Sequence, residues 1–134
     1  VDLSLMPVEV RVLGYAALLQ VLQFVLMAVP LNVQLGTAYT AGPRDEHQEA
    51  SGLGGRLFRA FNNHFEALTL FTIAVLVVVL SKASTPLTEQ LAWTYLIARI
   101  AYVPAYASGI FLLRSLIFAV GFAATVGMLL VALF

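Results

Sequence analysis

The sequence predicts an all-α protein, a transmembrane four-helix bundle. Hydrophobic residues make up 61% of its 134 positions and charged residues 10%, where soluble domains devote about a quarter of their residues to charge. Apolar runs long enough to cross a bilayer as helices recur along the chain. Short polar stretches containing glycine or proline separate them. A water-soluble fold of this size would leave much of that apolar surface exposed, because small domains have a large surface for their volume. Backbone groups in lipid must be hydrogen-bonded internally, and the pattern lacks the many short alternating strands of a barrel.

The first segment, 12–33, contains Gln20, Gln23 and Pro30. Its 22 residues rise about 33 Å as helix, against about 30 Å of hydrocarbon. Pro30 removes one internal hydrogen bond, so a kink or an early stop is expected there. Glu9 and Arg11 mark the near boundary. The segment lacks the cationic start and small-residue cleavage site of a leader peptide, and three more apolar segments follow it, so it reads as a span. From Gly36 to Gly55 the chain is polar and glycine-rich, with the run Pro43-Arg44-Asp45-Glu46-His47-Gln48-Glu49. This reads as an external loop, either simply solvated or covering a binding site.

The second helix is expected over 57–80: polar in its first third, with Arg56 at its threshold, and apolar from Ala67 onward. A turn follows at Ser81–Thr85, before Pro86. The third helix, 87–110, carries Arg99 and Pro104 inside it, and the fourth, 115–134, is apolar with Arg114 at its start. Gly121, Ala124 and Gly127 give the fourth a small-residue face suited to close packing. With no linker or long internal repeat, residues 1–134 read as a single domain.

Four spans put loops one and three on one side of the membrane and both termini with loop two on the other. Arg44, Arg56, Arg59 and Arg114 fall on the first side, Arg11 and Lys82 on the second. Basic residues favour the cytoplasm, so both termini are expected outside it. Seven basic side chains balance seven acidic ones, with no basic tail, which argues against a nucleic-acid partner. Cysteine is absent, which excludes disulfides and thiolate metal sites. His64 has no partner at ligand spacing except Glu66, two positions away and on a different part of the helix wall, so no metal site is expected.

The charges within the helices need an account. Arg56, Arg59, Asn63 and Glu66 follow at intervals of three, four and three, on one broad face of the second helix. On the third helix Arg99, Tyr102 and Tyr106 repeat that spacing logic. Facing lipid, each charge near the centre of a span would cost roughly 2.5–3.5 kcal/mol, so these faces are expected to meet a helix or a watery cleft. In the plainest reading Glu66 pairs with Arg59 or Arg99 and locks the helices together. Yet four arginines surround one acid, and guanidinium groups suit carboxylate ligands through paired hydrogen bonds.

The stretch Arg59-Ala60-Phe61-Asn62-Asn63-His64-Phe65-Glu66, preceded by Arg56, resembles the Arg-Ala, Asn and Glu motif of the MAPEG family, the membrane-associated proteins of eicosanoid and glutathione metabolism. Arg99, Tyr102 and Tyr106 are similar to the arginine and paired tyrosines of its third helix. The resemblance extends over the whole chain. It implies a bacterial-type homotrimer in an inner membrane, with glutathione as co-substrate in a cleft between subunits. Arg56, Arg59, Asn63, Glu66, Arg99, Tyr102 and Tyr106 then bind the tripeptide. Arg114 is the nearest match to the arginine that stabilises the thiolate, which makes it the catalytic residue. It lies eight positions after Tyr106, where eicosanoid-synthesising members have seven, and Ala67 replaces a tyrosine found in some of them. A continuous helix rotates about 100° per residue, so the role of Arg114 requires the intervening connection to absorb the offset. The expected function is a glutathione-dependent membrane transferase or peroxidase acting on a hydrophobic small molecule. The alternative is a non-catalytic membrane protein that binds an anionic lipid or a small carboxylated metabolite.

Overall fold

The computed structural model describes residues 3–36, 38, 42 and 51–134. Among them a short 3-10 turn at Leu3–Leu5 precedes four α-helices: α1 (Val8–Leu35), α2 (Gly52–Leu80), α3 (Pro86–Ser108) and α4 (Phe111–Leu133). The Pro43–Glu49 run, including Arg44, lies outside the described residues. No strand occurs among the described residues.

Two helices are longer than the sequence implies. α1 runs on through Pro30 to Leu35. α2 begins at Gly52, taking in glycines that read as loop, and Gly54 explains why. A Cβ there would come within 3.0 Å of Gln34 Nε2 and 3.3 Å of Pro30 Cβ, so glycine lets the end of α1 lie against the start of α2. Gln34 fixes that junction, donating to the Ser51 carbonyl at 2.7 Å and accepting from the Ser51 N–H at 2.8 Å.

The chain is a multi-pass integral membrane protein: α1, α2 and α4 are long and apolar enough to cross a bilayer. At most 28% of any of these spans is buried inside the subunit, so most of their apolar surface faces outward. α3 is not among these three, although at 23 residues it is as long as α4. Its lower hydropathy comes from residues such as Arg99, which the bundle encloses and keeps from lipid. α2 and α3 each pack against the three other helices, while α1 and α4 sit diagonally and the α3–α4 contact is the most extensive. The small-residue face of α4 serves that contact: a Cβ on Gly121 would lie 3.4 Å from Ala98 Cβ, and one on Gly127 3.4 Å from Leu91.

The core has two parts. The larger gathers Val12 and Ala16 of α1, Phe71 and Val75 of α2, Tyr95 of α3 and Met128 of α4. At its centre the Phe71 and Tyr95 rings stack at 3.9 Å and 7°. The smaller consists of Ala60, Tyr102 and Tyr106, with Ile117 against them.

At the end of the bundle where α1 and α3 begin, Glu9 is fully buried. The Ser84 hydroxyl donates to its carboxylate at 2.6 and 2.9 Å, and Thr88 Oγ1 lies 3.3 Å from Glu9 Oε1. Thr88 also closes a capping box with Thr85 at the start of α3. The residue that reads in sequence as a boundary marker therefore sits in a socket of hydroxyls beside a helix N-terminus, where negative charge is favoured.

Candidate functional site

The opposite end of the bundle, where α2 and α4 begin and α3 ends, holds an open cleft of about 440 Å³. Arg59, Asn63 and Glu66 of α2, Tyr102 and Tyr106 of α3, and Arg114 of α4 line it. Spacings of four and three along α2 bring its three residues onto one wall. Arg59 Nε donates to the Tyr106 hydroxyl at 3.3 Å. The Arg114 guanidinium carbon lies 4.5 Å from the Tyr106 ring centroid, near enough for cation–π attraction. The Tyr102 and Tyr106 rings meet edge to face at 5.5 Å. Tyr106 thus holds two cations at one rim.

The internal lock is not what forms. Arg59 bonds Tyr106, and Arg99 Nη1 donates to Asn63 Oδ1 at 3.0 Å. Among the described residues neither arginine pairs with Glu66, which stays exposed in the cleft. The cleft wall therefore carries two guanidinium groups and one carboxylate, all within reach of a ligand.

Two of the residues singled out in the sequence lie elsewhere. Arg56 does not line the cleft. Its Nε donates to the Ala107 carbonyl at 2.8 Å, satisfying an acceptor at the C-terminal end of α3 and placing a cation where the helix dipole favours one. Arg99 lines a second, deeper pocket of about 200 Å³ that shares Asn63, Glu66 and Phe118 with the cleft. It is 2% exposed and its guanidinium carbon lies 4.2 Å from the Tyr102 ring centroid. His64 is on another face of α2, buried against α1, with Nε2 3.2 Å from the Ala16 carbonyl oxygen.

The connection between α3 and α4 answers the spacing of Arg114. α3 stops at Ser108, Gly109 takes a left-handed φ of 79°, and α4 starts afresh at Phe111. Tyr106 and Arg114 therefore do not share a continuous helix, and the eighth position carries no 100° penalty. Arg114 falls in the first turn of α4, whose N-cap Ile110 supplies no side-chain cap, so the free N–H groups of that helix start lie beside it.

Sequence reasoning missed Asn62, Ser115 and Phe118 on the cleft wall. Ser115 had one signal, its place directly after Arg114; Phe118 had none within a uniformly apolar helix.

Fold and site define a class: a multi-pass helical membrane protein with a cationic cleft between three of its helices at one end of the bundle. The sequence profile of the MAPEG family matches residues 12–134, and the chain belongs to that family. Its family places it in eicosanoid- or glutathione-related metabolism at membranes. No curated protein and no solved structure matches the chain.

Proposed function

We propose that the chain is a glutathione-dependent membrane transferase or peroxidase that binds glutathione in the α2–α3–α4 cleft and presents its thiolate to an apolar electrophile. The observation that carries this reading is the charge pattern of the cleft: Arg59 and Arg114 on its wall, with Glu66, unpaired among the described residues, lining the same cleft. Glutathione offers the complement, with two carboxylates, one ammonium and one thiol. Arg59 meets one carboxylate, and the other extends past the rim of the cleft to the terminal nitrogens of Arg56, one turn further out. Glu66 takes the ammonium, and Asn63, Tyr102 and Tyr106 supply neutral hydrogen bonds. Arg99 acts from behind by fixing the Asn63 amide.

Arg114 is the catalytic residue of this scheme. A cation beside sulfur favours the thiolate over the thiol and lowers the thiol pKa, each unit being worth about 1.4 kcal/mol. A helix N-terminus acts in the same direction. The thiolate then attacks a hydrophobic compound that arrives through the bilayer.

The reading includes a homotrimer within one single-domain fold, with a neighbouring subunit closing the cleft. Glu66, midway along α2, is exposed on the subunit surface, and a charge left facing lipid near the middle of a span is costly. Titrating glutathione into the purified protein in mild detergent, and following thiolate absorbance and conjugation of an apolar electrophile, tests both points. Binding with turnover is expected from the oligomer and loss of binding on dissociation. Binding without turnover favours a non-catalytic receptor for an anionic lipid or carboxylated metabolite, and equal binding by dissociated subunits removes the shared cleft.

The orientation proposed with this reading is that of an inner membrane of bacterial type, with the cleft end of the bundle at the cytoplasm and both termini outside. Arg56, Arg59 and Arg114 gather at the cleft end, in accord with the bias of basic residues toward the cytoplasm. Topology reporters fused at each terminus are expected to report the non-cytoplasmic side, and cytoplasmic signals from both reverse the assignment.

A further inference from the structure

The deeper pocket behind the cleft has a different character. Leu70 and Ala67 of α2 and Phe118 and Phe122 of α4 give it apolar walls. The two phenylalanine rings are close to parallel, 18° apart with centroids at 6.0 Å, and form a flat shelf. At about 200 Å³ the pocket is smaller than the roughly 300–1,000 Å³ of sites for drug-sized ligands. That size suits one ring or a short branched body rather than a long acyl chain.

One side of this apolar pocket is polar. Arg99 and Tyr95 line it, and both are at least 98% buried. Arg99 Nε, Arg99 Nη2 and the Tyr95 hydroxyl have no hydrogen-bond partner among the described residues. Buried donors are normally satisfied, and leaving them unpaired costs free energy. Neither group is explained by packing alone: phenylalanine would keep the stack of Tyr95 on Phe71, and the single bond from Arg99 to Asn63 uses one of its five N–H groups.

We infer that this pocket, resting on the glutathione reading of the adjoining cleft, receives the second substrate, a compact apolar enone, with its carbonyl oxygen toward Arg99 and Tyr95 and its β-carbon toward the thiol on the Phe118 side of the shared rim, one turn along α4 from Arg114. The thiolate sulfur bonds to the β-carbon, and the π pair of the C=C bond shifts through the carbonyl onto oxygen. The resulting enolate takes a proton at the α-carbon, replacing the one the thiol gave up, so the step needs no oxidant or reductant. Arg99 and Tyr95 donate to the oxygen as it gains charge, the arrangement by which preorganised donors lower a barrier. Ala67 sets the bulk that fits, since a larger side chain at that position fills the pocket from the α2 side.

The test compares 4-phenylbut-3-en-2-one with methyl vinyl ketone in the parent, Ala67→Phe, Leu70→Ala and Tyr95→Phe. In Ala67→Phe the KM of the phenyl enone is expected to rise at least about tenfold relative to that of the small one, with the glutathione thiolate signal retained as a check on folding. Leu70→Ala enlarges the same pocket, shifts the ratio the other way, and decides the matter if Ala67→Phe does not fold. A size ratio that moves in neither variant overturns the pocket. Tyr95→Phe is expected to lower kcat for both enones about tenfold while its melting temperature holds or rises, because an unpaired hydroxyl has been removed. A stable Tyr95→Phe with parental kcat overturns the carbonyl end. Should the parent give no thiolate signal, the glutathione reading fails, and equilibrium dialysis of the phenyl enone alone still decides the pocket. Weaker binding by Ala67→Phe than by the parent supports it, and equal binding overturns it.

Discussion

Replacing Arg114 with alanine is expected to lower kcat for glutathione conjugation by about 10²- to 10³-fold, the range seen when one preorganised donor to a developing or resident anion is removed. The ultraviolet thiolate signal on adding glutathione is expected to vanish with it, while glutathione affinity falls much less, because the carboxylates and ammonium keep their own partners. The geometry explains why the effect is concentrated in one residue. Arg114 stands in the first turn of α4 with its guanidinium stacked between rings, 4.5 Å from the Tyr106 centroid and 4.9 Å from that of Phe111. A guanidinium held in this way loses little further freedom when it meets an anion. Lysine at this position keeps the charge but not the planar stack, so Arg114→Lys is expected to recover only part of the rate. A parental thiolate signal in Arg114→Ala would take Arg114 out of the chemistry and make Arg59, the other cation on the Tyr106 rim, the group to test.

Removing the Glu9 carboxylate by alanine substitution is expected to destabilise the fold by about 2–4 kcal/mol, read as a lower unfolding temperature in detergent. The fully buried carboxylate accepts from the Ser84 hydroxyl at 2.6 and 2.9 Å, and a hydrogen bond to a charged group contributes about 1.5–3 kcal/mol. The substitution also leaves a void at the junction of the α1 start with the turn before α3, which adds to the loss. Glu9→Gln retains the shape and one acceptor oxygen and is expected to lose less. Thr88 and Tyr106 are 18 positions apart on α3, about 27 Å along the axis. Folded Glu9→Ala is therefore expected to give the parental thiolate signal. An unfolding temperature equal to that of the parent would mean that the socket contributes nothing to stability.

Much of this architecture is legible in the residues. Apolar length and the breaks at Ser81–Thr85 and around Gly109 mark the helices, and the wheel of α2 puts Arg59, Asn63 and Glu66 together. What periodicity leaves open is depth. Arg99 and Tyr106 share a face of α3, but their seven positions are about 10 Å of axial rise, enough to put one in the inner pocket and the other at the cleft rim. Burial of Glu9 was equally hidden, because a charge at the end of an apolar run has the same local pattern whether it faces water or a socket made by residues far along the chain. On α4, Phe118 and Phe122 do not stand out in sequence from neighbouring apolar residues such as Leu116 and Val120, and they are likewise exposed on the subunit; only their place beside the pocket formed with α2 and α3 distinguishes them. The glycines at the start of α2 read as loop because their use, the close approach of Gln34 and Pro30 to Gly54, depends on a helix pair that local sequence does not specify.

The left-handed turn at Gly109 uncouples two rulers. Within a helix, counting residues fixes direction, so one inserted residue turns every later side chain away from its target. Across Gly109 and Ile110 that count restarts, and the bearing of Arg114 depends on how α4 packs against α3, through contacts such as Gly121 on Ala98, rather than on its distance in sequence from Tyr106. A residue gained or lost at this joint alters reach by a few ångströms and leaves the heading of the whole helix unchanged. The joint is thus where a bundle of this design tolerates length variation beside its reactive centre, and where the number of residues between tyrosine and arginine is a poor guide to whether they meet.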